Sequence, residues 1–300
     1  MNSRFRSYGM TAAIIVVWCI APMRIAAQFA GQSNNPARAA AEVAIKAAAT
    51  KPTPRLADGH PDLNGSWGTP ELPVSAHQDS SGNFYIDAPV DKGGTAPILD
   101  ATLDQQLEHL VDRNPPPYKL ELLAKVKELA SDKVHNDPVF HCKPFGVPRA
   151  GAPQQIVQTP TLTVLFYDEE DSPPGSFRLV PTDGRPHRTD VDPSYFGDSI
   201  GHWEGDTLVV DVTHLNDETW LANGAGNQAG SGYFHSDALH VVERYTRKGD
   251  TLRYEATAED PNVLTKPWTV TPQTRILTDK MLYEEPICEE RESQHIVNKY

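Results

Sequence analysis

The residues best equipped for chemistry crowd into one stretch of the chain. His187, His202, His214, His235 and His240 fall close to Asp198, Asp211, Asp217, Asp237 and Glu243. Histidine titrates near neutral pH and a neighbouring carboxylate can orient it, so such a stretch could carry general acid–base chemistry. On a strand starting at 207, Leu208, Val210 and Val212 share a face with His214, while Val209 shares the other with Asp211. On a strand starting at 238, Leu239, Val241, Glu243 and Tyr245 share one face and His240, Val242 and Arg244 the other. Both faces of both strands mix apolar and polar groups, so alternation alone does not say which is interior. Glu243, between Leu239 and Val241 on its face, is the best candidate for a carboxylate held in an apolar wall. There it would be prepared as a general acid or base, unless a cation such as Arg244 or a histidine pairs with it. A Glu–Arg or Glu–His pair that simply braces the strand is the alternative reading.

Other chemistries find less support. His235 and His240 are five positions apart, which matches neither a helical metal pair nor an alternating pair on one strand face, and no third ligand is evident, so no metal is expected. No serine sits in a G-x-S-x-G elbow, and there is no G-x-G-x-x-G or phosphate loop, so no nucleotide, nicotinamide or flavin cofactor is expected. The Gly-rich run 222–236 reads either as a flap over a barrel mouth, carrying His235, or as an insertion in a hairpin loop.

These groups must be positioned by surrounding elements. Arg4 and Arg6 precede an apolar run, Met10 to Met23, that is too short to span a bilayer and ends in small residues. This reads as a signal peptide over residues 1–27, cleaved after Ala27, and hence as a periplasmic or secreted protein. Cleavage removes three arginines and no acid from a chain whose net charge is already −13, a balance that argues against nucleic acid as a partner. No stable membrane insertion is expected after cleavage. It also removes Cys19 and leaves Cys142 and Cys288, which in an oxidising compartment read as one disulfide. That bridge would close a loop of more than a hundred residues, for about 4–5 kcal/mol in the chain-entropy picture.

Residues 28–54 are Ala-rich, with high helix propensity but no wide apolar face, and read as a mobile or loosely docked helix. A single domain is expected over 55–300, with a helical insertion at about 102–133. The helix Thr102–Val111 would present Leu103, Leu107 and Leu110, and Tyr118–Lys133 would present Leu122, Val126 and Leu129. Gly65-Ser66-Trp67 could begin a strand whose tryptophan plugs a barrel end, and Phe84–Asp87 is a further short strand. From 154 onward short alternating runs recur at 154–160, 162–167, 176–181, 207–215, 238–246, 251–258, 268–277 and 281–285. Close spacing without intervening helices gives a mainly β fold, an antiparallel lipocalin-like barrel, with an open β-sandwich as the alternative.

The segments PDLNGSW (61–67), CKPFGVPR (142–149), DGRPHR (183–188), SIGHWEGDTLVVDVTHLNDETWL (199–221), HSDALHVVERYTR (235–247) and EDPNVLTKPWTV (259–270) together resemble a large family of secreted bacterial proteins, mostly uncharacterised. Leu215 and Leu264 stand where that pattern has aromatic residues. The resemblance implies export and a barrel, lends no established reaction, and marks His187, Asn216, Asp217, His235, Glu243 and Arg244 as its polar motif positions. The expected function is a cofactor-independent acid–base enzyme (lyase, isomerase, cyclase or hydrolase) acting on a small apolar or aromatic molecule. His187 and His235 would serve as acid and base, Glu243 would tune one of them, and Asn216 would donate to a developing oxyanion. Asp217, Arg244, Trp203 and Trp220 would line the ligand site. The competing expectation is a periplasmic binding or carrier protein that uses the same cavity without turnover.

Overall fold

Where apolar and polar side chains alternate with a period of two, the chain runs as a strand, because a pleated strand sends successive side chains to opposite faces. The computed structural model describes residues 36–68, 75–78, 84–87, 96–97, 115–167, 176–222, 232–270 and 272–280. The expected leader, the helix Thr102–Val111, most of the Gly-rich run, the strand 281–285 and Cys288 lie outside the described residues. The strands are β1 (Gly65–Gly68), β2 (Ser75–Gln78), β3 (Phe84–Asp87), β4 (Ala96–Pro97), β5 (Gln155–Gln158), β6 (Leu162–Tyr167), β7 (Ser176–Pro181), β8 (Asp198–Glu204), β9 (Thr207–Thr213), β10 (His240–Lys248), β11 (Thr251–Glu259), β12 (Trp268–Thr269) and β13 (Gln273–Thr278). Among the described residues three α-helices accompany them: α1 (Pro36–Ala49), α2 (Leu123–Ser131) and α3 (Lys133–Asn136).

One antiparallel sheet runs in the order β7-β6-β5-β1-β13-β11-β10-β9-β8, with β12 on the flank of β11; β2, β3 and β4 form a separate small sheet. The large sheet curls until its end strands, β7 and β8, lie side by side with no ladder between them. The fold is therefore mainly β and a nearly closed barrel. The seam between β7 and β8 is narrow because Gly201 leaves room there. A Cβ at that position would come within 2.9 Å of Val180 Cγ1.

Burial settles the parity question. Leu208, Val210 and Val212 of β9, Val241, Glu243 and Tyr245 of β10, and Leu252, Tyr254, Ala256 and Ala258 of β11 all point inward and are buried. Each large apolar side chain so buried stabilises the fold by about 1.5–3 kcal/mol. Trp67 is wholly buried, donates its indole N–H to the Leu63 carbonyl (3.0 Å), and lies under the Arg247 guanidinium near the β10–β11 turn. Helix α1 lacks a broad apolar face and docks by its C-terminal end: Asp250 N–H donates to the Ala48 carbonyl (3.0 Å), and Lys51 pairs with Asp250 (2.6 Å).

Several elements differ from the sequence expectation: the helix expected over Tyr118–Lys133 is a 3-10 turn (Leu120–Leu122) followed by α2 and α3, and β2 and β4 are strands beyond those expected. Residues 198–204 form β8, although DSIGHWE has neither β-branched enrichment nor clean alternation. The run 268–277 is split into β12 and β13. Pro272 stands between them, and proline has no N–H to give to a ladder.

Candidate functional site

The carboxylate expected in an apolar wall is inside the barrel, but it is not alone. Glu243 is 1% exposed and pairs with Arg178 of β7, whose Nη1 donates to Glu243 Oε2 at 2.7 Å. Tyr254 donates its hydroxyl to the other carboxylate oxygen (3.0 Å). Arg178 also donates to the Tyr167 hydroxyl (3.1 Å) and, across the seam, to Ser199 Oγ of β8 (2.8 Å). Burial works against the Arg178 charge, yet Glu243, Tyr167 and Tyr245 around it hold its pKa above the ordinary range. Burial pushes the Tyr167 hydroxyl up to about 12, with Arg178 pulling the other way. The cation that answers Glu243 is thus Arg178, sixty-five positions away, and not the adjacent Arg244. Neighbours on a strand face opposite ways, and Arg244 pairs on the outside with Glu204 (2.6 Å).

His235 lies elsewhere, in a buried layer of loops. Its Nδ1 faces the Ser236 carbonyl (3.0 Å) and its Nε2 faces Thr219 Oγ1 (2.7 Å). A carbonyl only accepts, so Nδ1 carries the proton and Nε2 receives the threonine hydroxyl. Burial lowers the His235 pKa, with the Ser236 carbonyl and the Asp260 charge opposing. Asp260 fixes the same layer by accepting from Ser236 N (2.7 Å), Ser236 Oγ (2.9 Å) and Asn262 N (3.0 Å). Trp220 is buried in this region, with the Arg149 guanidinium over its ring; Arg149 itself forms a buried two-pronged pair with Asp137 (2.7 Å on both prongs).

His187 occupies a third place, on the outer face of β8 and β9. Its Nδ1 is 2.8 Å from Asp198 Oδ2 and its Nε2 is 2.8 Å from Asp211 Oδ1, while Asp211 also meets His240 at 3.0 Å. Burial tends to raise both carboxyls, but hydrogen bonds from Arg188 and His187 to Asp198, and from His240 and His187 to Asp211, hold them below the usual range. Asn216 is in an exposed turn, where its side-chain oxygen accepts from Glu218 N (3.3 Å), and Asp217 is exposed beside it. Trp203, next to the last residue of β8, is stacked on the His60 ring, centroids 4.5 Å apart. Cys142 follows a short 3-10 turn, Pro138–His141. The expected acid, base and tuning groups therefore sit in three separate places: His187 outside, His235 in the loop layer and Glu243 in the core.

An opening of about 430 Å³ lies along the β7–β8 seam, lined among others by Phe177, Leu179, Tyr195, Phe196, Arg185 and Arg188, with Arg178 behind them. Phe177 and Leu179 are 55% and 52% exposed and stand two apart on the outward face of β7. The lining also includes Asp198, the partner of His187. Tyr195 receives a hydrogen bond from Lys143 Nζ (2.8 Å) and gives one to Glu218 (2.8 Å), which fixes its ring at the rim.

None of Arg178, Phe177, Leu179, Arg185 or Arg188 is among the residues the sequence singles out, although one signal was present. In SFRLVP the alternation puts Arg178 with Val180 on one face and Phe177 with Leu179 on the other. With the Arg178 and Val180 face as the core, a buried cation and two exposed apolar side chains follow together, and that is the arrangement found. Comparison with protein-family profiles, curated proteins and solved structures finds no match.

Proposed function

We propose that this protein binds a small molecule with a flat apolar or aromatic body in the cleft between β7 and β8, and holds it without turnover. The observation that carries the reading is the cleft itself: about 430 Å³ of concave space with Phe177 and Leu179 presented to it from an edge strand. Clefts of this size that combine apolar walls with convergent polar groups are a usual form of small-molecule site. The Arg178–Glu243–Tyr254 network behind the cleft serves as a rigid wall. On the expectation that residues 1–27 are a cleaved leader, the protein would act in the periplasm or outside the cell, with Cys142 and Cys288 joined as a disulfide.

Holding is favoured over acid–base catalysis because His187, His235 and Glu243 do not share a cavity. Of the three, only His187 is connected to the cleft, through Asp198, and a carboxylate already faces each of its ring nitrogens. Both ring nitrogens are therefore turned to carboxylates rather than to the cleft.

The test is a fluorescence titration with N-phenyl-1-naphthylamine, a neutral aromatic probe that brightens in apolar surroundings. The expected result is saturable binding of about one equivalent per chain, weakened about tenfold or more by Phe177→Asp or Leu179→Asp. Both side chains are exposed, so the variants should stay folded. Binding that is unsaturable, or unchanged in both variants, would reject the cleft as the site.

A further inference from the structure

We infer that the bound molecule is an organic anion, whose single acidic group is recognised by Arg185 and Arg188 with Arg178 behind them. This rests on the cleft reading above and adds the charge of the ligand. The protein as a whole repels anions: it has 40 acidic residues against 27 Lys and Arg. Against that background, three arginines are among the residues that line one cleft, and Asp198 is the sole carboxylate among them.

Each arginine is held by part of its fork and leaves the rest unused. Arg188 donates through Nε to Asp198 Oδ1 (2.6 Å) and is 60% exposed, with neither Nη atom engaged among the described residues. Arg185 donates through Nε (2.9 Å) and Nη2 (2.5 Å) to Asp183, which leaves Nη1. The Asp183 carboxyl is held down to about 2 chiefly by that bond, so the anchor stays charged through the neutral range. Arg178 spends both Nη atoms inside the barrel, and its buried Nε has no partner. An unpaired buried N–H is costly and uncommon in folded proteins, and this one belongs to a residue that lines the cleft.

Arginines pinned by a carboxylate lose little freedom on meeting a ligand, and their planar forks match the geometry of a carboxylate or similar oxyanion. Phe177, Leu179 and Phe196 beside them would take the apolar body. The cleft thus has an apolar part and a cationic part, as an aromatic or aliphatic acid requires.

A matched probe pair tests this. 1-Anilinonaphthalene-8-sulfonate has the skeleton of N-phenyl-1-naphthylamine plus one anionic group. At low salt the sulfonate should bind the full protein at least about tenfold more tightly than the neutral probe, despite the negative net charge. Arg188→Gln and Arg185→Gln, both at exposed side chains, should each weaken the sulfonate about tenfold or more and the neutral probe much less, so that most of the preference is lost; unfolding midpoints check that the fold persists. Equal binding of the two probes, or tighter binding of the neutral one, would overturn the anion inference and leave the cleft reading standing. Binding of neither probe would overturn both.

Discussion

Glu243, a candidate acid or base by its place in the sequence, is one half of a buried ion pair with Arg178. Taking one member out of a buried ion pair leaves the other charged and unpaired, which costs about 3–5 kcal/mol, whereas replacing both with apolar groups is often neutral. Glu243→Gln should therefore lower stability in denaturant titration by that amount, and Arg178→Met with Glu243→Leu should recover most of it. A double variant as unstable as the single one would mean that the pair contributes through its hydrogen bonds to Tyr254 and Ser199. His235 makes a second prediction. Its folded pKa is lowered by burial, so its contribution is complete above the unfolded value of about 6.5 and is lost as pH falls through the folded one. Asp198 and Asp211, also depressed, add a second loss below about pH 4. Thermal midpoints should drop first below about pH 6.5, and His235→Gln should flatten that first drop while leaving the acid one. At this scale the sequence identified buried Glu243 correctly and mistook its partner. A pairing between β7 and β10 depends on how the sheet closes, and no local pattern records that.

At the level of elements, alternation was enough to find β6, β7, β9, β10 and β11. It failed at β8, where Gly201 and polar residues replace the expected branched side chains. The reason is specific to the seam: β8 must approach β7 closely, and a glycine permits it. Gly201→Val would force its branched side chain toward Val180 and Thr182, an overpacking expected to cost about 1–3 kcal/mol. The seam should be loosened in that variant, so hydrogen exchange should quicken in β7 and β8 before it does in β10 and β11. Uniform quickening across the barrel would show that the seam is not a separate point of weakness. The break between β12 and β13 was legible in Pro272 itself.

For the whole molecule, closure of the barrel separates groups that lie close in sequence. His235 and Glu243 are eight positions apart yet occupy different layers, and Glu243 and Arg244 point to opposite sides of one wall. The barrel fold could be read from strand spacing, but the cleft could not, since it exists only where the first and last strands of the sheet meet. Val157, Val164 and Leu179 stand in register across β5, β6 and β7 on the outer face, so apolar surface continues from the cleft along the barrel. The most direct test of the account is a crystal structure of the protein with 1-anilinonaphthalene-8-sulfonate. The rings are expected against Phe177 and Leu179, with sulfonate oxygens within about 3.2 Å of Arg185 or Arg188 nitrogens. A probe seated inside the barrel, or on the outer face away from the β7–β8 seam, would contradict it.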